Sequence, residues 1–261
     1  LADLAPQKNS TFAGLMLVGL LAVGGLEGLY AWMPRLAGMT TDGRVAAFDL
    51  EGEGSLCVWF STGTLELASL TALLIYVVRR QTPGAGRSRI WLFAAAVWLV
   101  MSIDECASLH EAFKELLSHS TGSRLWGDGT IWWVGAYGLV LSALGLGLLK
   151  AIWPCRSAII ALFATAAFYA TAVAAEMALL LACKDASEVM IEEGCEMIGN
   201  LCLLLSMGLS ARHAVSACDG ASEAGAGGTD AAGQAASSAD DAGRRAERAA
   251  RRPRRRSAVG V

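Results

Sequence analysis

The chain alternates between long apolar stretches and short polar connections, and this pattern predicts six membrane-crossing helices. The apolar stretches are residues 11–33, 55–78, 90–117, 130–153, 157–183 and 187–211. Each is longer than the roughly 20 residues that a helix needs to cross about 30 Å of hydrocarbon. Every backbone group in that layer must bond within its own segment, so the sequence predicts an all-α, polytopic transmembrane bundle of six helices.

Basic residues in the short connections predict the orientation of the bundle. They are concentrated between helices two and three, between helices four and five, and after helix six: Arg79, Arg80, Arg87, Arg89, Lys150, Arg156 and Arg212. Basic connections face the cytoplasm, which predicts that both the N- and C-termini are cytoplasmic. The first stretch is too long for a secretion signal and lacks a cleavage site before Pro34, so we expect it to be a retained helix.

Composition agrees with a membrane protein. The chain has 261 residues, of which 54% are hydrophobic, and its mean hydropathy of +0.47 exceeds that of soluble domains of this size. Its seven cysteines include no CxxC pair, which argues against a zinc knuckle or a dithiol redox motif. Cys57 and Cys183 both lie near predicted outer ends, where an oxidising envelope would allow a disulfide.

The composition changes abruptly after Arg212. Ala, Gly, Ser, Asp and Arg dominate from there on, and such a segment cannot bury enough apolar surface to offset its ordering entropy. We therefore predict a transmembrane domain over residues 1–212 and a disordered cytoplasmic tail over residues 213–261. The basic run from Arg244 to Arg256 would adhere to anionic lipid head groups, or else be a solvated tail. No folded nucleic-acid reader accompanies this run, so no nucleic-acid partner is expected.

Two predicted helices carry most of the acid that falls within the apolar layer. They hold Asp104, Glu105, His110 and Glu111 on helix three, and Glu188, Glu192, Glu193 and Glu196 on helix six. At 1.5 Å per residue, Asp104 lies about 9 Å beneath the outer boundary of the hydrocarbon, and Glu192 and Glu196 lie about 8 and 14 Å beneath it. Ionisable groups at such depths are retained mainly where they face a cavity, a partner or an ion. Helices three and six are therefore expected to meet and form an outward-facing site.

Helical periodicity gives each acid a rotational position. On a continuous helix three, Asp104 and Glu111 share one stripe, and on helix six a single polar face holds Glu192, Glu193, Glu196 and Asn200. Three more acids reach comparable depth on helices one, two and five: Glu27, Glu66 and Glu176. Either five helices contribute carboxylates to one cavity, or these three acids simply bond to hydroxyl groups on neighbouring helices.

Clustered carboxylates repel one another unless several are protonated or a cation neutralises them. A divalent metal ion fits this need, with Zn, Fe or Mn favoured by mixed carboxylate and imidazole ligands and Ca by carboxylates alone. The predicted metal ligands are Asp104, His110, Glu111, Glu192 and Glu196. The predicted catalytic carboxylates, which would move a proton beside the ion, are Glu105 and Glu193.

Several known metal motifs do not fit. The Glu-x-x-His spacing of di-iron bundles is absent, and the His-Glu-x-x-His pattern of zinc proteases fails because Lys114 stands where the second His belongs. The segment from Ser102 to Glu111, with the later Glu-Glu-x-x-Glu that ends at Glu196, resembles an uncharacterised group of bacterial multi-pass membrane proteins. These share an Asp-Glu-x4-His-Glu segment and a later Glu-Glu-x-x-Glu segment. The resemblance covers parts of two helices, implies a bacterial inner-membrane protein and lends no activity.

Three functions from different classes are consistent with these patterns. The first is a metal-dependent membrane enzyme, hydrolytic or redox, acting on a membrane or envelope substrate. The second is a cation- or proton-coupled transporter, which the scarcity of acids in the inner half disfavours. The third is a non-catalytic membrane component whose tail binds lipid or a partner.

Overall fold

The computed structural model describes residues 6–40, 45–50, 52, 54–81, 89–177, 179 and 186–250, and its side-chain description leaves out residues 36–37, 126–127 and 220–250. Within these ranges the α-helices are α1 (Asn9–Ala37), α2 (Leu56–Gln81), α3 (Ile90–Ala107), α4 (Leu109–Thr121), α5 (Trp126–Gly129), α6 (Ile131–Ile152), α7 (Arg156–Glu176) and α8 (Ala186–Ala250). No strand occurs in the described part of the chain.

Six of these helices are long and apolar enough to cross a membrane. Their candidate spans are Asn9–Arg35, Leu56–Gln81, Ile90–Ala107, Ile131–Ile152, Arg156–Glu176 and Ala186–Asp219. The predicted number and order of spans are therefore confirmed. The fifth span ends at Glu176, earlier than predicted, and residue Cys183 lies outside the described ranges.

The third predicted helix is not continuous. Ser108 adopts a left-handed backbone conformation with φ 48° and ψ 45°, which ends α3 at Ala107 and starts α4 at Leu109. The predicted stripe that joined Asp104 to Glu111 is wrong, because it assumed one regular helix through both residues. α4 instead is a separate amphipathic helix that follows the end of the span.

Small residues and hydroxyl groups let the helices approach closely. Ser69 on α2 donates to the Ala95 carbonyl on α3 at 2.7 Å, and Ser102 on α3 donates back to the Thr62 carbonyl at 3.0 Å. On α8, a Cβ at Gly199 would lie 2.8 Å from the ring of a tyrosine on α7. Such contacts are typical of helices packed in a membrane, where lipid gives no hydrophobic force between helices.

α8 continues past the apolar span to Ala250. The chain divides into two compact units, Leu1–Ser216 and Ala217–Val261. The disorder predicted for residues 213–261 stays a prediction. The side chains of the basic run from Arg244 to Arg256 lie outside the described set.

Candidate functional site

Asp104, in the last turn of α3, binds the beginning of α4. Its side chain accepts hydrogen bonds from the His110 backbone N–H at 2.6 Å, from His110 Nδ1 at 3.2 Å and from the Tyr137 hydroxyl. Asp104 is 7% exposed. The carboxylate therefore satisfies an N–H group that a helix start leaves unpaired, a role usually filled by the residue just before the helix. The left-handed turn at Ser108 places the two groups together.

His110 is oriented by this carboxylate and by aromatic neighbours. Its ring lies 5.2 Å from the Trp133 ring, which makes an edge contact with Tyr137 at 5.9 Å. The contact with Asp104 favours the tautomer that carries the proton on Nδ1, which leaves Nε2 as an acceptor. Nε2 lies 3.8 Å from a Glu111 carboxylate oxygen. Burial opposes a charge on His110, but the hydrogen bond to Asp104 and the charges of nearby acids outweigh it, so the pKa of His110 is raised.

An apolar groove of about 420 Å³ ends at these residues. α3, α4 and α6 line it with Phe93, Ala96, Val97, Val100, Met101, Asp104, Leu109, His110, Phe113, Ala136, Tyr137, Val140 and Leu141. Three of these lining residues carry polar groups and are bonded to one another: Asp104, His110 and Tyr137. Several of its apolar side chains, including Phe93 and Val100, are exposed at the surface of the bundle, where lipid would contact them. The groove thus suits a molecule with an apolar body and one polar end.

A second set of carboxylates lies nearby, on α3 and α8. The charges of Glu105, Glu193 and Glu196 act on one another. The charges of His110 and Asp104 also act on the Glu196 carboxylate. Carboxylates of the third and sixth spans thus lie within electrostatic range of one another. The Cys57 thiol on α2 donates to a Glu193 oxygen at 3.4 Å, and Cys57 is a free cysteine. The catalytic roles of Glu105 and Glu193 stay predictions.

The five predicted metal ligands are not gathered around one point. Within the described residues, no group of three or more His, Cys, Asp and Glu side chains is arranged to hold a metal ion. Asp104 and His110 are in contact, but protein donors already occupy both oxygens of Asp104. Glu111 forms an ion pair with Lys114. The negative charge of Glu192 acts on the adjacent carboxylate of Glu193. The geometry therefore does not support this ligand set.

A buried lysine on α4 connects this helix to α5. Lys114 is 5% exposed, and its Nζ lies 2.7 Å from a Glu111 oxygen and 2.7 Å from an Asp128 oxygen. Burial opposes charge on both Lys114 and Asp128. Their mutual attraction nevertheless raises the pKa of Lys114 and lowers that of Asp128, which also accepts bonds from Thr130. This network fixes α4 at one end of the groove.

The remaining predicted acids do not share a single cavity. Glu66 is exposed on α2, so the interpretation in which five helices supply one cavity is wrong. Glu27 on α1 packs against α8, where a Cβ at Gly194 would lie 2.6 Å from its Oε1. Glu176 ends α7 and its charge reaches Glu196, and Glu188 is fully buried in the first turn of α8.

Sequence reasoning missed the role of Tyr137. Tyr137 donates to Asp104 from α6, the one spanning helix without an acid, and Tyr169 on α7 donates to Asn200 on α8. The signal for Tyr137 was its position one helical turn after Trp133. That spacing gives α6 one aromatic stripe with a hydroxyl inside the apolar layer.

Comparison with known proteins gives a family but no activity. No curated protein and no solved structure shows significant similarity to the chain. A family model does match, over residues 10–211, which takes in nearly all of the six candidate spans. The chain therefore belongs to the family described as a domain of unknown function, DUF8692.

Proposed function

We propose that this protein is a membrane enzyme in which His110 acts as a general acid and base on an amphipathic, lipid-soluble substrate. The observation that carries the proposal is that Asp104, His110 and Tyr137, which are bonded to one another, are among the residues that line an otherwise apolar groove. A catalytic base needs orientation and access to the reacting group, and the groove supplies both.

The proton chemistry follows from the tautomer. Asp104 holds the proton of His110 on Nδ1, so Nε2 can take a proton from a water molecule. The water oxygen then bonds to an acyl or phosphoryl centre of the substrate. The imidazolium formed is stabilised by the Asp104 carboxylate, and it returns the proton to the leaving oxygen as that bond breaks. The nearby Glu196 charge also favours the imidazolium.

The groove suggests the class of substrate. Its walls are aliphatic and aromatic side chains, so hydrocarbon binds there without loss of hydrogen bonds to water. The reacting group must then sit beside His110, close to the start of α4. A membrane lipid or a lipid-linked envelope precursor has this shape, with one or more chains and a polar junction.

Orientation and location complete the proposal. The basic connections support cytoplasmic termini, which places the Asp104 end of α3 toward the outside. The resemblance of the acidic segments to bacterial proteins supports the bacterial inner membrane as the location. The basic run from Arg244 to Arg256 would then meet the anionic inner leaflet.

Mass spectrometry of lipids tests the enzyme proposal directly. Purified protein in proteoliposomes made from a total bacterial polar lipid extract is incubated at several pH values, and each lipid class is quantified over time. We expect the wild type to consume one class and His110→Gln to be about 10²–10⁴-fold slower. His119→Gln is the matched control, because His119 lies exposed on the same helix away from the groove. Equal lipid profiles for the wild type and His110→Gln would refute the proposal.

The pH dependence gives a second readout. His110 must be neutral to accept a proton, so the rate should rise with pH and level off above its raised pKa. Asp104→Asn removes the contact and the charge that raise this pKa, so the midpoint should move to lower pH while the maximal rate falls. A midpoint unchanged by Asp104→Asn would remove His110 from the role of base.

A further inference from the structure

A second apolar groove lies between α1, α2 and α8, at the end of the bundle where α1 begins. It encloses about 230 Å³, and its lining includes Phe12, Leu15, Thr71, Leu201, Leu204 and Ala211. The Thr71 hydroxyl donates to the Leu67 carbonyl of its own helix. A molecule in the groove therefore does not need to supply a hydrogen-bond partner for this hydroxyl. Hydrocarbon is the natural occupant of such a groove in a bilayer.

The guanidinium group of Arg212 lies beside this groove, against one of its lining residues. Arg212 follows Ala211 on α8 and lies over the Phe12 ring, 5.2 Å from its centroid. Its Nη1 donates to the Asn9 side chain at 2.6 Å and to the Gln7 carbonyl at 3.5 Å. Both bonds use one nitrogen, so Nε and Nη2 keep donors for a further acceptor.

The surroundings of Arg212 favour an anion. Within the described ranges no carboxylate forms an ion pair with Arg212. The exposed Lys8 precedes the first residue of α1, so a second positive charge lies on the segment that Arg212 binds. A planar guanidinium matches the oxygens of a phosphate particularly well.

We propose that this groove binds an acidic membrane phospholipid, with one acyl chain between α1, α2 and α8 and its phosphate on Arg212. The charge of Arg212 selects an anionic head group, and the groove selects a molecule with a chain. The site lies apart from the groove that ends at His110, which has α3, α4 and α6 as its walls.

Native mass spectrometry of the full chain in detergent measures binding of phosphatidylglycerol and phosphatidylcholine with identical acyl chains. We expect the wild type to prefer phosphatidylglycerol by about tenfold, since a charge-assisted contact to phosphate is strengthened by net negative charge. Arg212→Gln should abolish the preference, and Arg212→Lys should retain part of it. Arg35→Gln is the matched control, because Arg35 also lies over an aromatic ring, at the other end of α1.

Leu204→Trp tests the groove itself. The larger ring should fill the space and weaken both lipids alike, whatever the head group. Inorganic phosphate should compete poorly, because it has no chain. Equal binding of the two lipids by the wild type would overturn the proposal, as would an unchanged preference in Arg212→Gln or full competition by phosphate.

Discussion

Replacement of Asp104 by Asn should destabilise the protein and remove much of the pH dependence of its stability. Asn keeps an oxygen that can accept the His110 backbone N–H, but it loses the negative charge. Asp104 accepts three kinds of bond, from the His110 N–H, the His110 ring and the Tyr137 hydroxyl. A bond to a charged group contributes about 1.5–3 kcal/mol, against about 0.5–1.5 kcal/mol for a neutral pair.

The expected loss is therefore about 1 kcal/mol at each bond, or about 3 kcal/mol in the free energy of unfolding. An exposed ion pair offers a matched control. Glu115 and Arg124 are in contact at 2.9 Å with both side chains more than half exposed, so Glu115→Gln should cost less than about 1 kcal/mol.

The sign of the pH effect follows from His110. Because its folded pKa is raised, the stability that its charged form contributes is complete below the unfolded value of about 6.5. That stability is lost as the pH rises through the folded pKa. The wild type should therefore become less stable across this range, and Asp104→Asn should show a flatter curve.

The assay is equilibrium unfolding in lipid bicelles, followed by far-UV circular dichroism at a series of pH values. Loss of less than 1 kcal/mol in Asp104→Asn would contradict the capping role of the carboxylate. An unchanged pH slope would contradict the coupling of Asp104 to His110.

Three further outcomes are expected. Because the predicted metal ligands do not converge on one point among the described residues, elemental analysis should find the same metal content in the wild type and in Asp104→Asn/Glu192→Gln; stoichiometric metal lost in the double variant would contradict this. Gly199→Ala should lower thermal stability, since its Cβ would lie 2.8 Å from the packed ring of Tyr169, whereas Gly135→Ala meets nothing within 4 Å and should not. Glu66→Leu should raise stability in bilayers by about 1–3 kcal/mol, because the carboxylate is exposed midway along a spanning helix; destabilisation would mean that a partner covers it.

The acidic site was partly predictable from the sequence. Depth could be counted from helix rise, and this predicted similar levels for Asp104 and Glu196, whose charges act on each other in the structure. Rotation about each helix axis could not be counted as safely. Glu66 is a carboxylate like Glu105 and Glu196, yet its side chain is exposed. The packing of α2 against α3 decides which side of α2 is buried.

The sequence by itself determined the number and order of the spans. Bilayer thickness sets the length of a spanning helix, and unpaired backbone groups in hydrocarbon are too costly for a loop or an open strand. A sufficiently long apolar run therefore predicts a spanning helix. Only the tertiary structure decided the break at Ser108 and the grouping of Asp104, His110 and Tyr137. A left-handed serine is locally unfavourable and carries no sequence signal of its own. The bonds that Asp104 then makes to α4 and α6 offset this cost, and they exist only once three helices are packed together.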